Sequence, residues 1–183
     1  MLERLGSTPE KLLRKRINRA PLPALALGLP WLTIMLASMA SFSPVIASAP
    51  VMPPLAYMML LGWRMMRPGM LPLWAGLPLG LFDDLFSGQP FGSGVVLWSL
   101  TMLVMEVIDE RFLWRGFAQD WLAASGLVAA YLLLCSALAG LATGYPLPLV
   151  ILPQLVLSVV LYPVVTRVVA VFDRIRLLPL KRL

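Results

Sequence analysis

Long apolar runs alternate with short connections along the chain, and the connections hold most of the charged residues. An α-helix needs about 20 apolar residues to cross about 30 Å of hydrocarbon, because it rises about 1.5 Å per residue. The pattern therefore predicts an all-α membrane protein with six transmembrane helices. The predicted spans are 21–42, 45–63, 69–86, 93–108, 118–142 and 147–170.

Two boundaries in this prediction are irregular. The third and fourth spans are short, and glycines crowd the connection between them. Four prolines interrupt the boundary between the first two spans, so a re-entrant segment is an alternative there. These prolines are Pro44, Pro50, Pro53 and Pro54.

The positions of lysine and arginine test the topology independently, because cytoplasmic connections carry an excess of both. They fall in every second connection, which favours six spans with both termini in the cytoplasm. The basic segments are the N-terminal stretch, the turn at 64–68, the loop at 109–117 and the C-terminal stretch. The connections without a basic residue lie near 43–46, 87–92 and 143–146. The predicted organisation is a basic tail at 1–20, a transmembrane domain at 21–170 and a basic tail at 171–183.

Composition narrows the function classes further. Of 183 residues, 60% are hydrophobic and 13% are charged, which is far more apolar than a soluble domain. The net charge of +6 is explained by the topology, so we do not expect a nucleic acid partner. Histidine is absent and Cys135 is the only cysteine, which argues against a disulfide framework or a zinc site. We expect Cys135 to be a small packing residue, and we expect no metal and no cofactor.

The third predicted span carries the most informative pattern. Gly76, Gly80, Asp84 and Gly88 recur at every fourth position, and Gly92 extends the series. Residues four apart lie on one face of a helix, and glycines on such a face let a second helix approach closely. The pattern predicts a helix-packing or partner-binding face.

Asp84 admits two interpretations. A carboxylate costs about 2.5–3.5 kcal/mol at the centre of a bilayer and less towards the interface, so it needs a compensating partner. We favour a role in which Asp84 accepts hydrogen bonds from backbone N–H groups of the following turn and helix. The alternative is a catalytic or proton-carrying pair with Asp83, for which no second polar group or substrate site is evident.

The remaining polar and aromatic residues have structural interpretations. We expect Gln154 to bond to a neighbouring helix or to backbone near Pro153, and the charges of Glu106, Asp109, Glu110 and Arg111 to form salt bridges. Four aromatic residues near the span ends are predicted to be interface anchors: Trp63, Trp74, Trp98 and Tyr162. No nucleophile and base are paired in the sequence, so we do not expect an enzyme.

The order Gly76-x3-Gly80-x3-Asp84-Leu-x-Ser87-Gly88-x3-Gly92 resembles the central motif of the MreD family, the rod shape-determining membrane proteins of bacteria. The spacing of further residues resembles the same family from about residue 50 to the end of the chain. These residues are Pro53, Trp63, Pro68 and the pair Tyr162-Pro163 before a basic tail. The doubled acid at Asp83 departs from the family pattern and leaves open which carboxylate makes the main contact.

The resemblance implies a non-catalytic scaffold in the cell-elongation complex of the bacterial inner membrane. Its implied partners are MreC, the peptidoglycan synthase RodA with its class B penicillin-binding protein, the actin-like MreB and membrane lipid. The family is similar in fold to the six-helix substrate-binding components of energy-coupling factor transporters. An alternative function is therefore a small-molecule-binding subunit of a transporter, with a vitamin-like ligand.

Overall fold

The computed structural model describes residues 23–40, 52–111, 116–143 and 151–176. The predicted N-terminal tail, residues 177–183 of the predicted C-terminal tail and the predicted outer turn at 43–46 lie outside the described residues, whereas residues 171–176 of that tail belong to the last helix. Within the described part of the chain, the fold is all-α, as predicted, and it contains six α-helices. Their bounds are α1 Pro23–Ala40, α2 Leu55–Met66, α3 Gly76–Asp84, α4 Ser93–Arg111, α5 Phe117–Thr143 and α6 Leu152–Arg176.

Two of these helices are long and apolar enough to cross a membrane, and they lie at Phe117–Leu141 and Leu152–Arg176. Of the other helices, α1, α2 and α3 are shorter than their predicted spans, whereas α4 continues three residues past its predicted end at 108. The helix α3 has 9 residues, or about 14 Å at about 1.5 Å per residue, and a 3₁₀ turn at Leu73–Ala75 precedes it. Two prolines fit this late start: Pro72 has an extended backbone before the 3₁₀ turn, and Pro78, which has no N–H group, lies in the first turn of α3, where a proline is tolerated.

The helix α2 lies at the centre of the bundle. Every residue from Ala56 to Met65 is buried, and α2 contacts α1, α5 and α6. The Tyr57 hydroxyl extends this packing to α4, because it hydrogen bonds the hydroxyl of Thr101 at 2.9 Å. The Tyr57 ring stacks on Tyr131 of α5 with 4.1 Å between the ring centroids. The helix is accordingly apolar along most of its length, and its one charged residue is Arg64 near its C-terminal end.

The prediction of four interface anchors is wrong for three of the residues. Trp63, Trp98 and Tyr162 are buried in the core, at 0%, 0% and 2% exposure, and only Trp74 is exposed. The indole of Trp63 donates a hydrogen bond to Thr33 Oγ1 of α1 at 2.9 Å. A position near a helix end determines where an aromatic residue lies along the helix axis, but it does not determine whether the side chain faces the core or the surface. The sequence pattern was misleading for this reason.

A proline in α6 makes a hydrogen bond between α5 and α6 possible. Pro163 has no N–H group, so the carbonyl of Val159, one helical turn earlier, lacks its usual donor. The indole Nε1 of Trp121 on α5 donates to this carbonyl at 3.1 Å. At the start of α6, Gln154 Nε2 donates to the carbonyl of Met52, which precedes α2, at 2.6 Å, and not to a neighbouring helix or to the backbone near Pro153 as predicted.

Candidate functional site

The glycines of α3 lie against α4 at backbone contact distance. A Cβ atom built on Gly80 would lie 2.5 Å from the carbonyl oxygen of Gly94, and one on Gly76 would lie 2.9 Å from the backbone of Trp98 and Ser99. Backbone atoms of a packed helix cannot move aside as a flexible side chain can. The face that holds Gly76 and Gly80 therefore admits no side chain without separation of the two helices.

Asp84, at the end of the same face, caps the start of α4. Its Oδ1 accepts a hydrogen bond from the N–H of Gly94 at 2.7 Å. Its Oδ2 accepts bonds from the N–H groups of Gly92 at 2.9 Å and Val95 at 3.3 Å. The hydroxyl of Ser93 also donates to Oδ1, at 3.4 Å. The carboxylate thus satisfies amides that a helix start leaves without partners, where the helix dipole favours negative charge.

Glycines shape the turn that brings α4 back to Asp84. Gly88 has φ +66° and Gly92 has φ +95°, both in the left-handed region that favours glycine. Before Gly88, the N–H of Ser87 donates to the Asp83 carbonyl at 2.9 Å and continues the hydrogen bonding of α3 past its end. The turn from Ser87 to Gly92 therefore sets the distance between the Asp84 carboxylate and the amides that it binds.

Asp83 faces a different environment from Asp84. Its carboxylate is buried on the side of α1, where it interacts with the Ser38 hydroxyl, and Tyr131 and Cys135 of α5 lie within electrostatic range. Cys135 is itself buried in the core, in agreement with the predicted packing role. The two adjacent carboxylates therefore diverge, and only Asp84 reaches the start of α4.

The remaining motif residues support helix ends and helix contacts. Pro53 is buried two residues before the start of α2, and its carbonyl accepts the N–H of Leu55 at 2.8 Å. Pro68 is exposed in the turn after α2, next to Gly69, which has φ +84°. Neither proline contacts Asp84 in the described structure, so the motif residues do not form one cluster.

A second group of polar residues lies at the opposite end of α4 and was only partly predicted. Arg64 of α2 is 3% exposed and forms ion pairs with Glu106 and Asp109 of α4, the latter at 3.3 Å. The sequence suggested salt bridges for these two acids but not their partner, because a contact between residues 42 positions apart leaves no local pattern.

Asp173 of α6 completes this group, and sequence reasoning missed it. Its carboxylate pairs with Arg67 and with Arg176, each at 2.9 Å. The guanidinium of Arg176 also lies 6.0 Å from the ring centroid of Trp63. We call the group of Arg64, Glu106, Asp109, Arg67, Asp173 and Arg176 the ionic end of the bundle. The sequence signal that could have indicated this role of Asp173 is an acidic residue close to arginines at the end of the last apolar run.

The ionic end joins three helices through charge. The C-terminal ends of α2, α4 and α6 meet there, whereas Asp84 and the start of α4 lie at the other end of the described bundle. This arrangement places three of the basic segments used in the topology prediction together. Within the described residues, no three acidic or cysteine side chains are grouped so that they could hold a metal ion.

Comparison with known proteins finds no matching family model, no matching curated protein and no matching solved structure.

Disruption of the ionic end gives a testable expectation. Arg64→Ala leaves two carboxylates without their cation, and we expect the free energy of unfolding to fall by about 2–3 kcal/mol, since loss of a fully buried partner costs about 3–5 kcal/mol and Glu106 is partly exposed. Thermal unfolding can be followed by reaction of the single cysteine, the buried Cys135, with a fluorogenic maleimide. Arg111→Ala, at the exposed end of α4, is the matched control and should unfold as wild type does. Equal melting of both variants would contradict the expectation.

Proposed function

We propose that this chain is a non-catalytic scaffold of the bacterial cell-elongation complex, of the MreD type, with all six helices embedded in the inner membrane. The observation that carries the proposal is the arrangement of the motif residues. Gly76 and Gly80 bring two helices together, Asp84 caps the second helix, and Gly88 and Gly92 shape the turn between them. The glycines and the aspartate of the central motif thus form one structural unit, whereas Pro53, Trp63, Pro68 and Pro163 lie elsewhere in the fold.

The chemistry of this unit favours a structural role over catalysis. The Asp84 carboxylate accepts four hydrogen bonds from α4 and its turn, which leaves little capacity for a substrate. A general acid or base must reach a reacting proton, and both oxygens of the Asp84 carboxylate are already engaged by donors of α4 and its turn. The unit is therefore suited to hold helices in a fixed arrangement.

The outer surface of the bundle is suited to a membrane. The side of α3 away from its glycines presents Leu77, Leu81 and Leu85, which are 50%, 44% and 63% exposed. The helices α4 and α6 carry exposed apolar residues as well, among them Leu103 and Val164. Lipid, and the transmembrane helix of a partner such as MreC, are the environments in which such faces are stable. The six predicted spans and the cytoplasmic placement of the ionic end belong to this proposal.

Depletion in a rod-shaped bacterial host is the experiment that tests it. We expect cells to become round as the protein is lost, and wild type supplied from a plasmid to restore rods and to co-purify with MreC. Maintenance of normal rods after full depletion would contradict the scaffold proposal. Retention of a vitamin-like molecule by the purified protein at micromolar affinity would favour the transporter alternative instead.

A further inference from the structure

A cleft of about 380 Å³ opens between α2, α5 and α6, on the side of the bundle away from the Asp84 turn. Its walls are mainly apolar. They include Met65 and Met66 from α2, Phe117 and Trp121 from α5, and Tyr162 and Ala170 from α6. The cleft lies close to the ionic end, because Arg67, which follows Met66, pairs with Asp173 of α6.

One cation at this cleft has no partner among the described residues. Arg167 lines the cleft, is exposed, and makes no ion pair or hydrogen bond with another described side chain, whereas Arg64, Arg67 and Arg176 are all paired with acids. Asp120 also lines the cleft but has an interaction of its own. The guanidinium of Arg167 is therefore available to an anionic group from outside the chain.

The surroundings of Arg167 restrict what that group can be. Val164, Val168 and Val171 on the same helix are 54%, 42% and 55% exposed, so the cleft opens onto an apolar surface rather than a polar one. A soluble anion would meet the guanidinium without covering this surface. An occupant with a phosphate and long apolar chains matches both the cation and the apolar walls.

We propose that this cleft, named here the α2–α5–α6 cleft, is a binding site for a phospholipid, with the phosphodiester on Arg167 and an acyl chain along Met66, Trp121 and Ala170. The inference rests on the proposed membrane embedding of the chain. Arg167 lies nine residues before Arg176, or about 14 Å along α6, so it lies deeper along the bundle than the ionic end. A long arginine side chain can span part of this distance and reach a lipid headgroup. The bound lipid would fill the space between the last two helices and α2.

Native mass spectrometry of the delipidated full-length protein tests the site. Phosphatidylglycerol and diacylglycerol with the same acyl chains differ only in the phosphate-containing headgroup. We expect wild type to bind the phospholipid at least about tenfold more tightly, because the phosphate forms one charge-assisted hydrogen bond with the guanidinium. Arg167→Gln should reduce this preference at least about fivefold. Arg174→Gln, an exposed arginine on the same helix that does not line the cleft, should leave it unchanged.

Other occupants give different results. Displacement of the phospholipid by millimolar inorganic phosphate alone would show a simple anion site and overturn the proposal, as would equal binding of diacylglycerol.

Ala170→Phe should fill the cleft and weaken phospholipid binding without loss of the Cys135 melting transition, which shows that the variant is folded. A photo-crosslinker at Thr166 should capture lipid in cells, and capture of a protein there would overturn the lipid assignment. Rounding on depletion is measured separately, so failure of lipid binding and failure of the scaffold proposal are distinguishable.

Discussion

Gly80→Leu is expected to force α3 away from α4 and to abolish both stable folding and function. The first carbon of the new side chain would lie 2.5 Å from the Gly94 carbonyl, and that backbone cannot move without disturbing α4. Overpacking of this kind costs about 1–3 kcal/mol and more where nothing can yield. The shift would also lengthen the Asp84 hydrogen bonds, so we expect a loss above about 3 kcal/mol.

The measurement uses the melting transition reported by Cys135 together with rescue of rod shape. Gly80→Ala should already lower the transition, because the conflict begins at Cβ. Gly126→Leu is the matched control: Gly126 is an exposed glycine of α5, and a Cβ atom there meets nothing within 4 Å. The control should melt at or above the wild-type temperature, since leucine has a higher helix propensity than glycine. Wild-type melting and rescue by Gly80→Leu would refute the close-packing account.

Asp84→Ala is expected to have the second largest effect. It removes the acceptor for three backbone N–H groups and one hydroxyl, and an unsatisfied buried donor costs about 1–3 kcal/mol. Water at the end of the bundle can form hydrogen bonds with some of the freed donors, so we expect the free energy of unfolding to fall by about 3 kcal/mol in total. In a chain of this length, that corresponds to a fall in Tm of about 6–12 °C.

Two comparison variants separate capping from charge. Asp84→Asn keeps one acceptor oxygen and should lose about half as much stability as Asp84→Ala, with partial rescue of cell shape. Glu110→Ala, an exposed acid at the end of α4, should have no effect. If Asp83→Asn destabilised the protein as much as Asp84→Ala while Asp84→Asn behaved as wild type, the assignment of the cap to Asp84 would be wrong.

Local pattern was sufficient for much of this fold. The order and type of the helices follow from apolar runs, and the recurrence of Gly76, Gly80 and Asp84 at every fourth position indicated one packed face. The proposed bonds from Asp84 to the next helix start also followed from local reasoning, because the helix start is within ten residues of the acid. Such features depend on residues that are close together in the sequence, so a local pattern is enough to predict them.

Features that depend on distant residues were not predictable in the same way. The bond from Trp63 to Thr33 and the ion pair from Arg67 to Asp173 require knowledge of which helices are adjacent. The short length of α3 was misjudged because hydropathy does not distinguish a helix from an extended apolar segment, and Leu71 and Leu73 are apolar without being α-helical. The α2–α5–α6 cleft has no sequence signature, since its walls come from three separate helices.

The complete burial of α2 has a consequence for biogenesis. The chain is synthesised from its N-terminus, yet α2 is covered by α5 and α6, and the Asp173 partner of Arg67 is made 106 residues later. Until the last helix arrives, α2 lacks part of its cover and Arg67 lacks its acid. With the proposed membrane embedding, we expect the nascent protein to remain as an incomplete bundle in the translocon or beside an insertase. Release from that site is expected only when α6 closes over α2.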